Sequence, residues 1–265
     1  MTLESPIVLF TTAELAPTFR AMRGSRPLEI VARPFTDCEA WILYESEWKS
    51  HHAIDREASI HSPELYAIWA QKSFFMREAI ARNFFHTATF FWCDIGVFRQ
   101  PQMDPRVVAH FPLASRLPGT GVLLSSVASL RAEDCLMQCD GIPGNFEHVD
   151  RIVGGLWGGT ASACLRFAAA YECMLQRYFL QDRFAGKDQS VMLSACLADP
   201  SIAHIVKPTV HDLDIWFFLT RLLSDTSVPM EHDPTYALPN TPCPPVHIPL
   251  LGGLGNQMFE IAAAY

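Results

Sequence analysis

The chain is short of the features that mark several large protein classes. Its eight cysteines (Cys38, Cys93, Cys135, Cys139, Cys164, Cys173, Cys196 and Cys243) never form a CxxC pair, so a zinc ribbon is not expected. Several stand in apolar stretches, where a thiol serves as a small core residue. That usage suits a reducing, cytoplasmic setting. No run reaches the roughly 18 apolar residues that a membrane span needs. The opening MTLESPIVLFTTAEL has neither the basic segment nor the long apolar core of a signal peptide. Charge is also scarce: 18% of the residues are charged, and the formal net charge is −8. The lysines and arginines are scattered, with no basic stripe to neutralise a phosphate backbone, which argues against a nucleic-acid binder. One diphosphate is a smaller demand, since a metal ion and a few donors suffice for it.

What is present is apolar residue, 49% of the 265, enough to bury the core of one sizeable α/β domain. Residues 6–12 (PIVLFTT) predict a buried strand, followed by a helix through Leu15–Met22 that Gly24 and Pro27 end. LEIVARPF (28–35) predicts a second strand, and AWILYE (40–45) a third strand or a short helix. A long helix begins at Ser62-Pro63-Glu64, with Ser62 as N-cap and Pro63 in the first turn, and stops near Asn83. Strands are then predicted at 88–99, 121–127 and 201–208, and helices at 162–179, 185–200 and 214–223. RIVGGLWGGT (151–160) reads as a Gly-rich segment. Alternation of this kind predicts a mainly parallel sheet. The seven prolines between Val228 and Pro249 mark a linker, 228–245, that separates a domain at 1–227 from a strand–turn–helix start at 246–265.

Candidate chemistry centres on ATFFWCDIGVFR (88–99). An apolar strand that ends in a carboxylate presents it at the C-terminal edge of a sheet, where α/β folds bind ligands. Asp94 can there hold a divalent ion against a diphosphate, and Gly96 lets that diphosphate approach the backbone. Aspartate near glycine is equally ordinary turn chemistry. Lys72, on the preceding helix, can reach a phosphate as a point charge or simply be a solvated lysine. Asp188-Gln189 opens a helix, so Asp188 is a helix cap, an acceptor-side base, or both. Gly154-Gly155-Leu156-Trp157-Gly158-Gly159 either lines a sugar site, with Trp157 stacked on a sugar face, or makes a tight turn. His211-Asp212-Leu213-Asp214 offers His211 as a further metal ligand, with both aspartates as helix caps. The other histidines, His51-His52 included, are expected on the surface.

Taken together, Ser62-Pro63-Glu64-Leu65-Tyr66-Ala67-Ile68-Trp69 with Lys72, then Phe91-Trp92-Cys93-Asp94-Ile95-Gly96 with Phe98-Arg99, resemble the HtrL/WlaX-like family of predicted bacterial glycosyltransferases. Gly155-Leu156-Trp157-Gly158-Gly159 and Asp188-Gln189 follow in the order that this family shows. The resemblance implies a GT-A-like α/β fold, a nucleotide-sugar donor such as a UDP- or GDP-sugar, and a manganese or magnesium ion. The usual D-x-D stands here as Asp94-Ile95-Gly96, one carboxylate short. On this reading Asp94 and His211 hold the metal, and Lys72 and Gly96 meet the donor diphosphate. Gly155, Trp157, Gly158, Gly159 and Gln189 line the sugar, and Asp188 is the catalytic group. Gly252-Gly253-Leu254-Gly255-Asn256-Gln257-Met258-Phe259 is similar to the opening of α-1,2-fucosyltransferases, implying a fused downstream enzyme of which 246–265 is the start. The main alternative is an inactive glycan- or nucleotide-sugar-binding module serving that fucosyltransferase. A nucleotide phosphohydrolase would need more clustered carboxylates.

Overall fold

The structure is a computed structural model that describes residues 3–98, 110–147, 149–209 and 215–233. His211, Asp212 and Asp214, most of the linker and the segment 246–265 lie outside the described residues.

Local sequence explains most elements. The first strand, β1 (Ile7–Thr11), is followed by helix α1 (Ala16–Arg23) and pairs in parallel with β2 (Leu28–Ala32). Helix α2 (Glu39–His52) settles the ambiguous 40–45 stretch as helix, with the Trp48 indole N–H donating to the Ala40 carbonyl at 2.8 Å. Helix α3 (Pro63–Arg82) starts where Ser62 accepts a hydrogen bond from the Leu65 amide, a cap that contributes about 1 kcal/mol. It ends on Asn83, which takes the left-handed conformation and returns its N–H to the Ala79 carbonyl. Helix α4 (Ala161–Leu180) is capped in the same way, by Thr160 on the Ala163 amide. Two further helices follow, α5 (Asp188–Ala198) and the short α6 (Phe218–Leu222).

The main sheet has five strands, β3 (Thr89–Cys93), β4 (Val122–Ser125), β5 (Leu156–Thr160), β6 (Ala203–Pro208) and β7 (Met230–His232), in the order β3-β5-β4-β6-β7. Its pairings are mostly antiparallel, and only β4 and β6 pair in parallel. The expected mainly parallel sheet is therefore corrected to a mixed one. The cause is β5, read from sequence as a Gly-rich segment. Gly158 lies opposite Phe91 on β3, and a Cβ there would stand 2.3 Å from the Phe90 carbonyl oxygen. Glycine is what lets a strand fit between β3 and β4. Because β5 runs against both neighbours, β3, β4 and β6 still point the same way, and their C-terminal ends share one edge with the start of β5.

The 228–245 linker also begins too early. Met230–His232 pairs with β6, and the Asp233 amide donates to the Ile205 carbonyl at 2.8 Å, so the domain extends at least to Asp233.

Two cores cover the sheet. Phe90, Trp92, Val122, Leu124, Trp157 and Ile205 face α3, α4 and α5, while Phe91, Cys93, Leu123, Leu156 and Val206 face Phe111 and α6. This is the period-2 alternation of strands buried on both faces. The β1–β2 pair joins the body through an aromatic stack: Phe10 on Phe75 at 4.1 Å between ring centres, then Phe75 on Trp92 at 6.1 Å. His51 departs from the surface position expected of it. It is buried, and its Nδ1 accepts the Ala185 amide at 3.1 Å. No described helix is long and apolar enough to cross a membrane.

Candidate functional site

Strand alternation decides where Asp94 goes. Phe90 and Trp92 face α3, so Asp94, two residues on, emerges on the same side. Lys72 shares the inner face of α3 with Phe75 and Met76, and its side chain points at the sheet edge. Asp188 arrives from a third direction, at the first residue of α5.

These three side chains meet. The Lys72 ammonium stands 2.8 Å from Asp188 Oδ2, 3.5 Å from Asp94 Oδ2 and 3.2 Å from the Gly154 carbonyl oxygen. The Trp92 indole N–H donates to Asp94 Oδ1 at 2.6 Å, and Lys72 Nζ lies 6.0 Å from the same indole ring. The Asp94 amide donates to the Gly155 carbonyl at 2.8 Å, which closes the start of β5 over the end of β3. A Cβ on Gly154 would lie 3.0 Å from Asp188 Oδ2, and one on Gly155 3.0 Å from Asp94 Oδ2. Two glycines side by side therefore admit two carboxylates around one ammonium.

Exposure separates their roles. The side chains of Lys72 and Asp188 keep only 7% and 8% of their surface, whereas Asp94 keeps 43%. Burial works against the Lys72 ammonium, but Asp188 and Asp94 outweigh it, and its pKa is raised. Burial raises the Asp94 pKa; Lys72 and the Trp92 indole hold it down in part, and the nearby Asp188 charge adds to the rise. The neighbouring Cys93 thiol is pushed up to about 12 by burial and the Asp94 charge, which removes it as a nucleophile at neutral pH.

The triad carries one positive and two negative charges, and the single carboxylate open to solvent belongs to Asp94. One solvent-open carboxylate is a hard oxygen ligand of the kind that Mg2+ takes beside water, although the three metal-ligating side chains that gather among the described residues are Asp55, Glu57 and His61, away from Asp94 in sequence. The Lys72 ammonium, expected as a phosphate contact, is 7% exposed and turned to these oxygens of the chain itself.

The remaining expected positions are dispersed. Asp188 is not the N-cap; Lys187 is, and the Asp188 Oδ1 accepts the Gln189 amide at 2.9 Å. Gln189 donates to the Ile152 carbonyl at 2.6 Å and so pins the loop before β5 rather than facing a ligand. Trp157 is 1% exposed and packs on Phe167, so stacking on a sugar face is closed to it. Gly158 and Gly159 serve strand packing, against Phe90 and the Gly121 carbonyl. Gly96 lies in the turn that begins at Asp94, where the Val97 amide donates to the Asp94 carbonyl at 3.0 Å. His211 lies outside the described residues. Sequence reasoning gave no role to Trp92, although its two-residue offset from Asp94 already sets the two on one strand face, and it read Gly154 only as part of a sugar-lining or turn segment, not as the neighbour that makes room for Asp188.

No known family profile matches the chain, and no curated protein matches it in sequence.

Proposed function

We propose that the domain binds a nucleotide sugar at Asp94 through a divalent cation and transfers the sugar to a hydroxyl of a glycan acceptor. The observation that carries this reading is the convergence of Lys72, Asp94 and Asp188 around Gly154 and Gly155, at the sheet edge shared by the ends of β3, β4 and β6. Open α/β sheets bind ligands at that edge.

Asp94 is the residue that would hold a Mn2+ or Mg2+ ion, and the ion would neutralise the diphosphate as it leaves. Trp92 fixes the direction of the Asp94 carboxylate. Lys72 works against the rise that burial imposes on the Asp94 pKa, and Asp188 holds Lys72 in place. Sealed and ion-paired, Asp188 acts as a positioning residue rather than as the base that takes the acceptor proton.

The second reading, a nucleotide-sugar-binding module without turnover, draws on the same observation, since one exposed carboxylate serves binding directly. The test is a thermal-shift screen of UDP-, GDP-, CMP- and dTDP-sugars, with and without Mn2+, on wild type and Asp94→Ala. A ligand that binds only the folded state raises Tm. The proposal expects a shift with one nucleotide class that needs Mn2+ and is lost in Asp94→Ala. Absence of any shift at saturating donor would overturn it. Release of free nucleoside diphosphate in the presence of acceptor separates transfer from binding alone.

A further inference from the structure

Two histidines stand side by side near the β7 edge of the main sheet. His204 on β6 lies opposite Leu123 of β4, and His232 on β7 lies opposite Val206 of β6. Leu123 and Val206 face the same side of the sheet. Alternation therefore turns both imidazoles to that side, as diagonal neighbours on an antiparallel pair. Their ring centres are 6.0 Å apart and their planes cross at 63°. His204 is half-buried and His232 is exposed. Among the described residues neither ring has a hydrogen-bond or ion-pair partner beyond this contact. By contrast His51, His52 and His61 each commit Nδ1, to the Ala185 amide, the Tyr66 hydroxyl and the Asp55 carboxylate.

Two adjacent imidazoles suit Zn2+, Ni2+ or Cu2+, which accept nitrogen ligands, rather than Mg2+ or Mn2+, which prefer oxygen. With Zn–N bonds of about 2.1 Å and a tetrahedral angle, two imidazoles on one ion stand roughly 5 Å apart between ring centres. A small rotation of the exposed His232 side chain closes that difference. The next residue, Asp233, is 3% exposed, and neither of its carboxylate oxygens has a hydrogen-bond partner. A buried, uncompensated carboxylate favours a cation in its neighbourhood. The strand that would gain is short: β7 has three residues and pairs with β6 alone. We propose that His204 and His232 together hold a zinc-class transition-metal ion that pins β7 to β6, with water completing its shell. The inference does not rest on the glycosyltransferase reading, because its nitrogen ligands select a different class of ion from the carboxylate of Asp94.

The test is isothermal titration calorimetry of Ni2+ into the full chain, with the exposed thiols of Cys139 and Cys173 alkylated so that they do not compete for the metal. The expected result is Ni2+ binding in wild type, no heat from Mg2+ at the same concentration, and a Kd weaker by about tenfold or more in His232→Ala, the least that changes around a metal ligand cost. His232 is exposed, so this variant keeps its fold, which circular dichroism verifies. With Cu2+ as the probe, electron paramagnetic resonance should show two coordinated imidazole nitrogens in wild type and one in His204→Ala or His232→Ala. The competing cluster is Asp55, Glu57 and His61, whose ligand atoms lie within 4.8 Å of one another. His61→Asn should leave Ni2+ binding unchanged. Binding that survives His232→Ala and disappears in His61→Asn would move the metal to that cluster and overturn the proposal. Absence of Ni2+ binding in wild type, or equal affinity in His204→Ala, would overturn it too. Because the two metal sites are separate, His232→Ala should keep any Mn2+-dependent donor shift, and failure of the donor screen would not touch Ni2+ binding.

Discussion

Replacing Lys72 with methionine keeps most of the stem volume and deletes the charge between two carboxylates. Removing one partner of a buried ion pair costs roughly 3–5 kcal/mol. Asp94 keeps 43% of its side-chain surface and can be rescued by water, so the penalty falls on Asp188, at 8%. The lower end applies, about 3 kcal/mol, or a fall in Tm of roughly 6–12 °C for a domain of this size. Adding Asp188→Asn removes the uncompensated charge, and the double variant should be more stable than the sum of the singles by about 1–2 kcal/mol. Urea denaturation followed by circular dichroism, on wild type, both singles and the double, measures this. A Lys72→Met loss below about 1 kcal/mol, additive with Asp188→Asn, would show that Lys72 is not the counterion of Asp188, and the architecture of the triad would have to be abandoned.

Asp94→Asn should behave in the opposite way: burial already disfavours its charge, so stability should be unchanged within about 0.5 kcal/mol while Mn2+-dependent donor binding is lost. Titrating that binding against pH in the wild type should show a decline, as pH falls, at a value above the ordinary carboxylate pKa, because only ionised Asp94 holds the cation. Gly155→Ala should shift the flexible Asp94 carboxylate and weaken donor binding at little cost in Tm. Gly158→Ala places its methyl against the rigid Phe90 carbonyl and should cost about 3 kcal/mol, read by the same denaturation assay. Ellman's reagent on native protein at pH 8 should modify exposed Cys139 and Cys173 promptly. Cys93, Cys164 and Cys196, each pushed up to about 12 by burial, should react only after unfolding.

Determined by the sequence alone were the elements with local signals and the residue that faces solvent at the site. Ser62 and Pro63 start α3, Asn83 ends it, and an apolar run delivers Asp94 to a strand end; each depends on contacts within a few residues. Strand order was decided by tertiary structure, because LWGGT has no β-branched residue before Thr160 and becomes a strand only where β3 and β4 supply partners. The fate of Trp157, buried rather than stacked on a ligand, was decided the same way. So was the role of Lys72: nothing near it in sequence announces Asp188, 116 positions away. A charge on a helix face is solvated or buried according to what packs over it, and here α5 and the Gly154–Gly155 turn close over the ammonium and make it the hub of the site.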